Sequence, residues 1–166
     1  MANYTLPPFG NLDIDLLEDF YHVDIELNDN DVQLDLNFDE TSIDPAKLEL
    51  AKSFIEKLDT FDKQNKVLIQ QTYTNEEDDV VKKYVEHHLK ELDDETLSGL
   101  IDFDNTSIEP AQQLVNKLKL VRVGLYPETE PQFATFDYSI GTDLTDYLVV
   151  VNTNQLGELD YMTMEI

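Results

Sequence analysis

The first third of the chain alternates apolar and polar side chains with a period of two. Leu12, Ile14 and Leu16 stand against Asp13 and Asp15; Tyr21, Val23, Ile25 and Leu27 against His22, Asp24 and Glu26; Val32, Leu34, Leu36 and Phe38 against Gln33, Asp35, Asn37 and Asp39. Successive side chains of an extended chain point to opposite faces, so each run predicts a strand with one buried and one wet face. The separators Glu18-Asp19 and Asn28-Asp29-Asn30-Asp31 are short and rich in turn formers, which predicts an antiparallel meander whose wet face is almost entirely acidic.

From Asp44-Pro45 the period becomes helical, because Asp caps a helix N-terminus well and Pro is favoured at its first position. Ala51, Phe54, Ile55, Leu58 and Phe61 then share one face. A second helical stretch runs from about Thr60 through Val67, Leu68 and Gln71 to Tyr73. The acidic run Glu76-Glu77-Asp78-Asp79 marks the start of a third, whose apolar side carries Val81, Tyr84, Val85, His88, Leu89 and Leu92. Leu97 to Ile101 adds a short helical turn or two. The segment Phe38-Asp39-Glu40-Thr41-Ser42-Ile43-Asp44-Pro45-Ala46 recurs at Phe103 to Ala111 with seven of nine positions identical. The likeness stops after the alanine, which argues against a solenoid or array; the segment reads as two copies of one helix-entry device, an acidic cap before proline, with a partial duplication as the alternative.

Strands return in the last third: Leu120 to Tyr126, Phe133 to Ile140, the continuous apolar run Tyr147 to Val151, and Glu158 to Met164. Strands, then helices, then strands predict a single α+β domain over residues 1–166. Its mostly antiparallel sheet is formed by the N-terminal (about 9–39) and C-terminal (about 119–165) strands, with the central helices (about 44–117) packed on one face.

Charge changes this picture more than composition does. The 166 residues include 36 acidic and 11 basic side chains, a formal charge of −25. Lys47 is the first cation and Arg122 the last, so residues 1–46 carry twelve carboxylates and 123–166 eight with no Lys or Arg among them. Such a surface releases no counterions from phosphate, which argues against nucleic acid and anionic membranes as partners. The absence of cysteine removes disulfides, thiolate metal sites and a thiol nucleophile. The N-terminus has no basic, apolar leader pattern, and the longest apolar run is far below the roughly 20 residues of a membrane span, so a soluble cytoplasmic protein is expected.

Little in the sequence points to catalysis. His87 and His88 are about 100° apart on a helix and do not converge easily on one metal. Asp35-x-Asn37-x-Asp39 opens like a calcium loop, but Glu40 occupies the turn-glycine position and Ala46 that of the bidentate glutamate; Asp102-x-Asp104-x-Thr106 fails in the same way. There is no Gly-rich phosphate loop and no Gly-x-Ser-x-Gly. No cofactor and no enzymatic activity are expected. The alternative is a small-ligand binder or enzyme with a pocket between sheet and helices, lined by Tyr126, Tyr138, Tyr147 and Tyr161.

The stretch Val121-Arg122-Val123-Gly124-Leu125-Tyr126-Pro127 is followed by Phe136-Asp137-Tyr138-Ser139-Ile140, Leu144-Thr145-Asp146-Tyr147 and a terminal Gly157-Glu158-Leu159 to Met164-Glu165. With Pro8-Phe9-Gly10 and Leu34-Asp35-Leu36-Asn37-Phe38, these segments resemble a bacterial domain-of-unknown-function family of small acidic proteins. The resemblance implies a bacterial α+β protein with the general character of the immunity proteins that neutralise toxins, and it brings no catalytic residues. The function expected is therefore a non-catalytic module whose acidic sheet face docks a basic protein. Asp13, Asp15, Asp24, Glu26, Asp35 and Asp39 are the candidate contacts. A third reading is a stress or housekeeping protein acting through self-association. The charge itself makes a prediction: raising NaCl from about 20 to 500 mM screens self-repulsion and raises the thermal unfolding midpoint. An unchanged or lower midpoint in calorimetry would contradict it.

Overall fold

The computed structural model describes residues 2–166. In chain order the elements are β1 (Asn3–Leu6), β2 (Gly10–Asp13), β3 (Phe20–Leu27), β4 (Asn30–Asn37), α1 (Pro45–Glu56), α2 (Leu58–Thr74), α3 (Val80–Glu91), α4 (Asp94–Leu100) and α5 (Pro110–Lys117). Then follow β5 (Lys119–Leu125), β6 (Ala134–Ser139), β7 (Leu148–Thr153) and β8 (Leu159–Glu165). Six strands form one sheet in the order β3-β4-β5-β6-β7-β8, antiparallel throughout except for the parallel pair β4–β5. A parallel neighbour requires a long crossover, and here the whole helix block supplies it. The fold is α+β, with N- and C-terminal strands in one sheet around a central run of helices.

The β3–β4 hairpin turns through Asn28-Asp29, both with positive φ (48° and 68°), a conformation that Asn and Asp tolerate and that matches strand twist. Its register runs without interruption from Leu27 opposite Asn30 to Phe20 opposite Asn37. The helix-side face of the sheet buries Leu34, Leu36, Val123, Leu125, Phe136, Tyr138, Val149 and Val151 completely. Phe54 of α1 anchors the helices to it, with ring centroids 5.2 Å from Phe133 and 6.0 Å from Phe136.

The first alternating run departs from the expected meander. β1 and β2 pair only with each other, Asn3 opposite Asp13 to Leu6 opposite Gly10, as a separate two-stranded sheet. Leu6 and Leu12 are buried, and Tyr4 donates its hydroxyl to Glu49 of α1. A turn after Asp13 breaks the alternation, so Leu17 is buried and Leu16 is 73% exposed. The apolar face read from Ala51 to Phe61 is also divided, because the chain leaves helical geometry at Lys57 (φ −110°, ψ 11°) and Leu58 and Phe61 belong to α2.

Both copies of the repeated segment enter helices through a proline in the first turn, Pro45 and Pro110. Asp44 caps α1 by accepting the Ala46 N–H at 2.9 Å, whereas Glu109 makes no cap bond and instead accepts the Tyr73 hydroxyl at 2.6 Å. Phe38 is buried and Phe103 is exposed, so the two copies share their helix entry but not their packing.

His88 sits on the apolar stripe of α3, buried. Its Nδ1 lies 2.7 Å from the Tyr84 carbonyl oxygen, which can only accept, so the ring hydrogen is on Nδ1 and Nε2 accepts the Thr145 hydroxyl at 2.8 Å. Burial lowers its pKa, partly opposed by the bond to the Tyr84 carbonyl and aided by neighbouring His87. A depressed histidine contributes stability that is complete above the unfolded value of about 6.5 and is lost as pH falls below it. In thermal melts between pH 7.5 and 5, the wild type should therefore lose stability relative to His88→Gln. Parallel curves for the two proteins would contradict this assignment.

Candidate docking face

Residues directly opposite one another in a sheet share a face, so the register defines the side of the sheet turned away from the helices. β3 places Phe20, His22, Asp24 and Glu26 there, opposite Asn37, Asp35, Gln33 and Asp31 of β4. Gln33 is in turn level with Arg122 of β5, and Arg122 with Asp137 of β6. Tyr126 closes this face over Gly124, whose lack of a side chain leaves room for the Thr135 hydroxyl, 2.9 Å from where a Cβ would stand.

At its centre, Arg122, the chain's single arginine, bridges three strands. Its Nε donates to Asp35 Oδ2 and its Nη1 to Asp137 Oδ2 at 3.2 Å, while Gln33 Nε2 donates to the other Asp35 oxygen at 2.8 Å. Burial works against the guanidinium charge, but the hydrogen bond to Asp35 and the attraction of both carboxylates raise its pKa above the ordinary value. Burial raises the pKa of Asp137; Arg122 pulls it down, and Glu165 and Asp35 push it up. With two carboxylates to one guanidinium, the trio leaves the face acidic.

The structure divides the six sequence-selected carboxylates. Asp24 and Glu26 are exposed on this face, and together with Asp31, Gln33 and Val121 they line a cleft of about 600 Å³. Asp35 is fully buried in the Arg122 bridge and cannot meet a partner. Its alternation places it on the outer face, but on an inner strand neighbouring side chains cover that face. Asp13 and Asp15 lie on and just after β2, with the Asp13 carboxylate accepting the Asp15 N–H at 3.1 Å; they belong to the small sheet, not to this face. Asp39 is exposed just beyond the end of β4, where its N–H donates to Glu128 Oε1 at 2.6 Å and the Glu40 N–H donates to Oε2 at 3.0 Å. It borders a second cleft of about 580 Å³ between Phe20 and Tyr126.

Asp31 and Asp137 escaped the sequence reading. Asp31 could have been found from its place opposite Glu26 across a two-residue turn. A lone arginine among apolar strand residues likewise signals a carboxylate partner that spacing alone does not name. Among the described residues, the ion pairs are Lys66–Asp62, Lys83–Asp79 and the two of Arg122; none involves Asp24, Glu26 or Asp31.

The four tyrosines of the alternative reading do not share a cavity. Tyr138 points into the helices and donates to Asp62 at 2.7 Å, and burial together with the Asp62 charge raises its pKa well above the ordinary value. Tyr147 packs on His87 with centroids 4.5 Å apart, while Tyr126 and Tyr161 are on the opposite side of the sheet. A cavity of about 700 Å³ is lined by Tyr126 with Thr129, Pro131, Gln132 and Thr135. Thr145 and His88 stand at the distance of a hydroxyl nucleophile and its base. The Thr145 oxygen also accepts the Tyr147 N–H at 3.1 Å, so the pair ties the β6–β7 loop to α3.

No protein-family model, curated protein or solved structure matches the chain. No helix among the described residues is long and apolar enough to cross a membrane.

Replacing Arg122 by Met leaves Asp35 and Asp137 buried without their cation. The expected cost is about 2–4 kcal/mol, below that of orphaning a wholly buried pair because the guanidinium is one-third exposed. Adding Asp35→Leu and Asp137→Leu should recover most of it in urea unfolding. A loss under about 0.5 kcal/mol for the single variant, typical of an ordinary surface change, would contradict the bridge.

Proposed function

We propose that this chain is a non-catalytic binding module that docks a basic protein on the acidic outer face of its sheet, in the manner of an immunity protein neutralising a toxin. One observation carries the reading: Asp24, Glu26 and Asp31 gather at one cleft, with Glu26 directly opposite Asp31, and among the described residues none of the three is in an ion pair. Like charges facing one another across a strand pair are unfavourable in the free protein. A lysine or arginine supplied from outside relieves that repulsion, and the net charge of −25 steers such a partner inward. A nuclease toxin, basic because it must hold phosphate, is the partner class that fits. A bacterial origin and a cytoplasmic setting are part of the same proposal.

The competing reading, a small-ligand binder or enzyme, draws on the cavity beside Tyr126, whose volume of about 700 Å³ is within the range of ligand sites. Its wall offers hydroxyl and amide groups and a carboxylate from Glu130. Docking through the acidic face accounts for the charge layout, which a ligand cavity does not.

The test separates local docking from bulk charge. Affinity for a labelled nine-residue arginine–serine peptide is measured for Asp24→Lys/Glu26→Lys and for Glu76→Lys/Glu77→Lys, an equal charge change between α2 and α3. The first pair should weaken binding about tenfold or more, and the second by no more than about threefold. Equal losses would mean that net charge alone acts, and the docking reading would fall.

A further inference from the structure

The six-stranded sheet has two edges, and they are built differently. β8 carries a register shift between Asn152 and Thr153 opposite it and packs against α3. β3 runs straight through eight paired residues with β4 and, among the described residues, pairs with no other strand. Tyr21, Val23, Ile25 and Leu27 are only half-buried, whereas Leu36, Leu34 and Val32, opposite the first three, are at most 1% exposed. The helix layer therefore stops short of this edge and leaves an apolar strip on the inner side of β3.

The hairpin register also decides which main-chain groups are free. Residues bracketing a two-residue turn exchange hydrogen bonds, so Leu27 and, alternately, Ile25, Val23 and Tyr21 turn their N–H and C=O groups toward β4. The Asp19 carbonyl follows the same alternation and accepts the Phe38 N–H at 2.9 Å. The N–H and C=O groups of Phe20, His22, Asp24 and Glu26 consequently face the open edge. The residues offering free main-chain bonds are thus the ones that place carboxylates on the outer face.

We infer that β3 receives an extended partner segment of alternating apolar and Lys or Arg residues as a seventh strand, its apolar side chains covering Val23 and Ile25 and its cations meeting Asp24 and Glu26. The inference rests on the docking reading and adds its mode, strand addition at a sheet edge. Charge complementarity selects the occupant. A second copy of this chain would set Asp24 and Glu26 against identical carboxylates, and charge on an edge strand is a known guard against self-pairing. A cationic strand finds the same edge open.

The probe is a labelled seven-residue peptide of alternating lysine and valine. It is compared with a peptide of the same composition in two blocks, and with the alternating peptide N-methylated at its lysine backbone nitrogens, which would face the edge. The alternating peptide should bind about tenfold more tightly than either control and should slow amide exchange at His22, Asp24 and Glu26. His22→Pro removes an edge N–H without removing a carboxylate and should abolish the advantage, while His22→Ala should keep it. If all three peptides bind alike and these amides still exchange rapidly, strand addition is overturned, even where Asp24→Lys/Glu26→Lys weakens binding more than the Glu76/Glu77 control. If the two charge reversals weaken binding equally, the docking reading itself has failed. A peptide-free dimer at high salt that His22→Pro dissolves would assign the edge to a second copy and also overturn the proposal. Should His22→Pro fail to fold, the N-methylated peptide decides alone.

Discussion

The guanidinium of Arg122 is the point on which the sheet is organised. The N-terminal hairpin and the C-terminal meander are separated by the entire helix block and join along one seam, the parallel pair β4–β5. At that seam Arg122 reaches Asp35 on one neighbour and Asp137 on the other. A one-residue slip would turn Arg122 into the apolar face and bring Leu34 or Val123 out. The bridge and the apolar core therefore specify the same register from opposite sides of the sheet.

That arrangement has an electrostatic consequence. The one arginine is committed internally, and the lysines lie on the helices and their flanks, with Lys119 at the start of β5. The turn end of the β3–β4 hairpin carries Asp24, Glu26 and Asp31, which take part in no ion pair among the described residues. The bridge that fixes the strand order thus also commits the one arginine and leaves those carboxylates outside its reach. The same hairpin ends the sheet, so uncompensated charge and unpaired main chain coincide on one strand.

Much of this was legible from alternation and caps. β3 and β4 follow from period-two patterning, the C-terminal strands from short apolar or alternating runs between turn formers, and α1 from Asp44-Pro45. What alternation cannot distinguish is a strand's place within the sheet. Asp24 and Asp35 look equivalent in sequence, yet one is on an edge strand and exposed while the other is on an inner strand and covered by Arg122 and its neighbours. The hairpin β1–β2 was hidden because Asn3–Leu6, although it alternates, is only four residues long, and because Leu17, not Leu16, continues the buried set. The break at Lys57 has no glycine or proline to announce it. Arg122 was visible as a lone cation, but its partners are 87 and 15 residues away in sequence: Asp35 becomes a neighbour only through the crossover, and Asp137 only through the β5–β6 register.

A double-mutant cycle between Arg122 and Asp35, using Arg122→Met, Asp35→Asn and the double variant in urea unfolding at neutral pH, measures the central interaction without reference to any partner. The account predicts a favourable coupling of about 1.5–3 kcal/mol. Additive losses, with coupling within about 0.3 kcal/mol of zero, would show that the seam holds its register without the bridge.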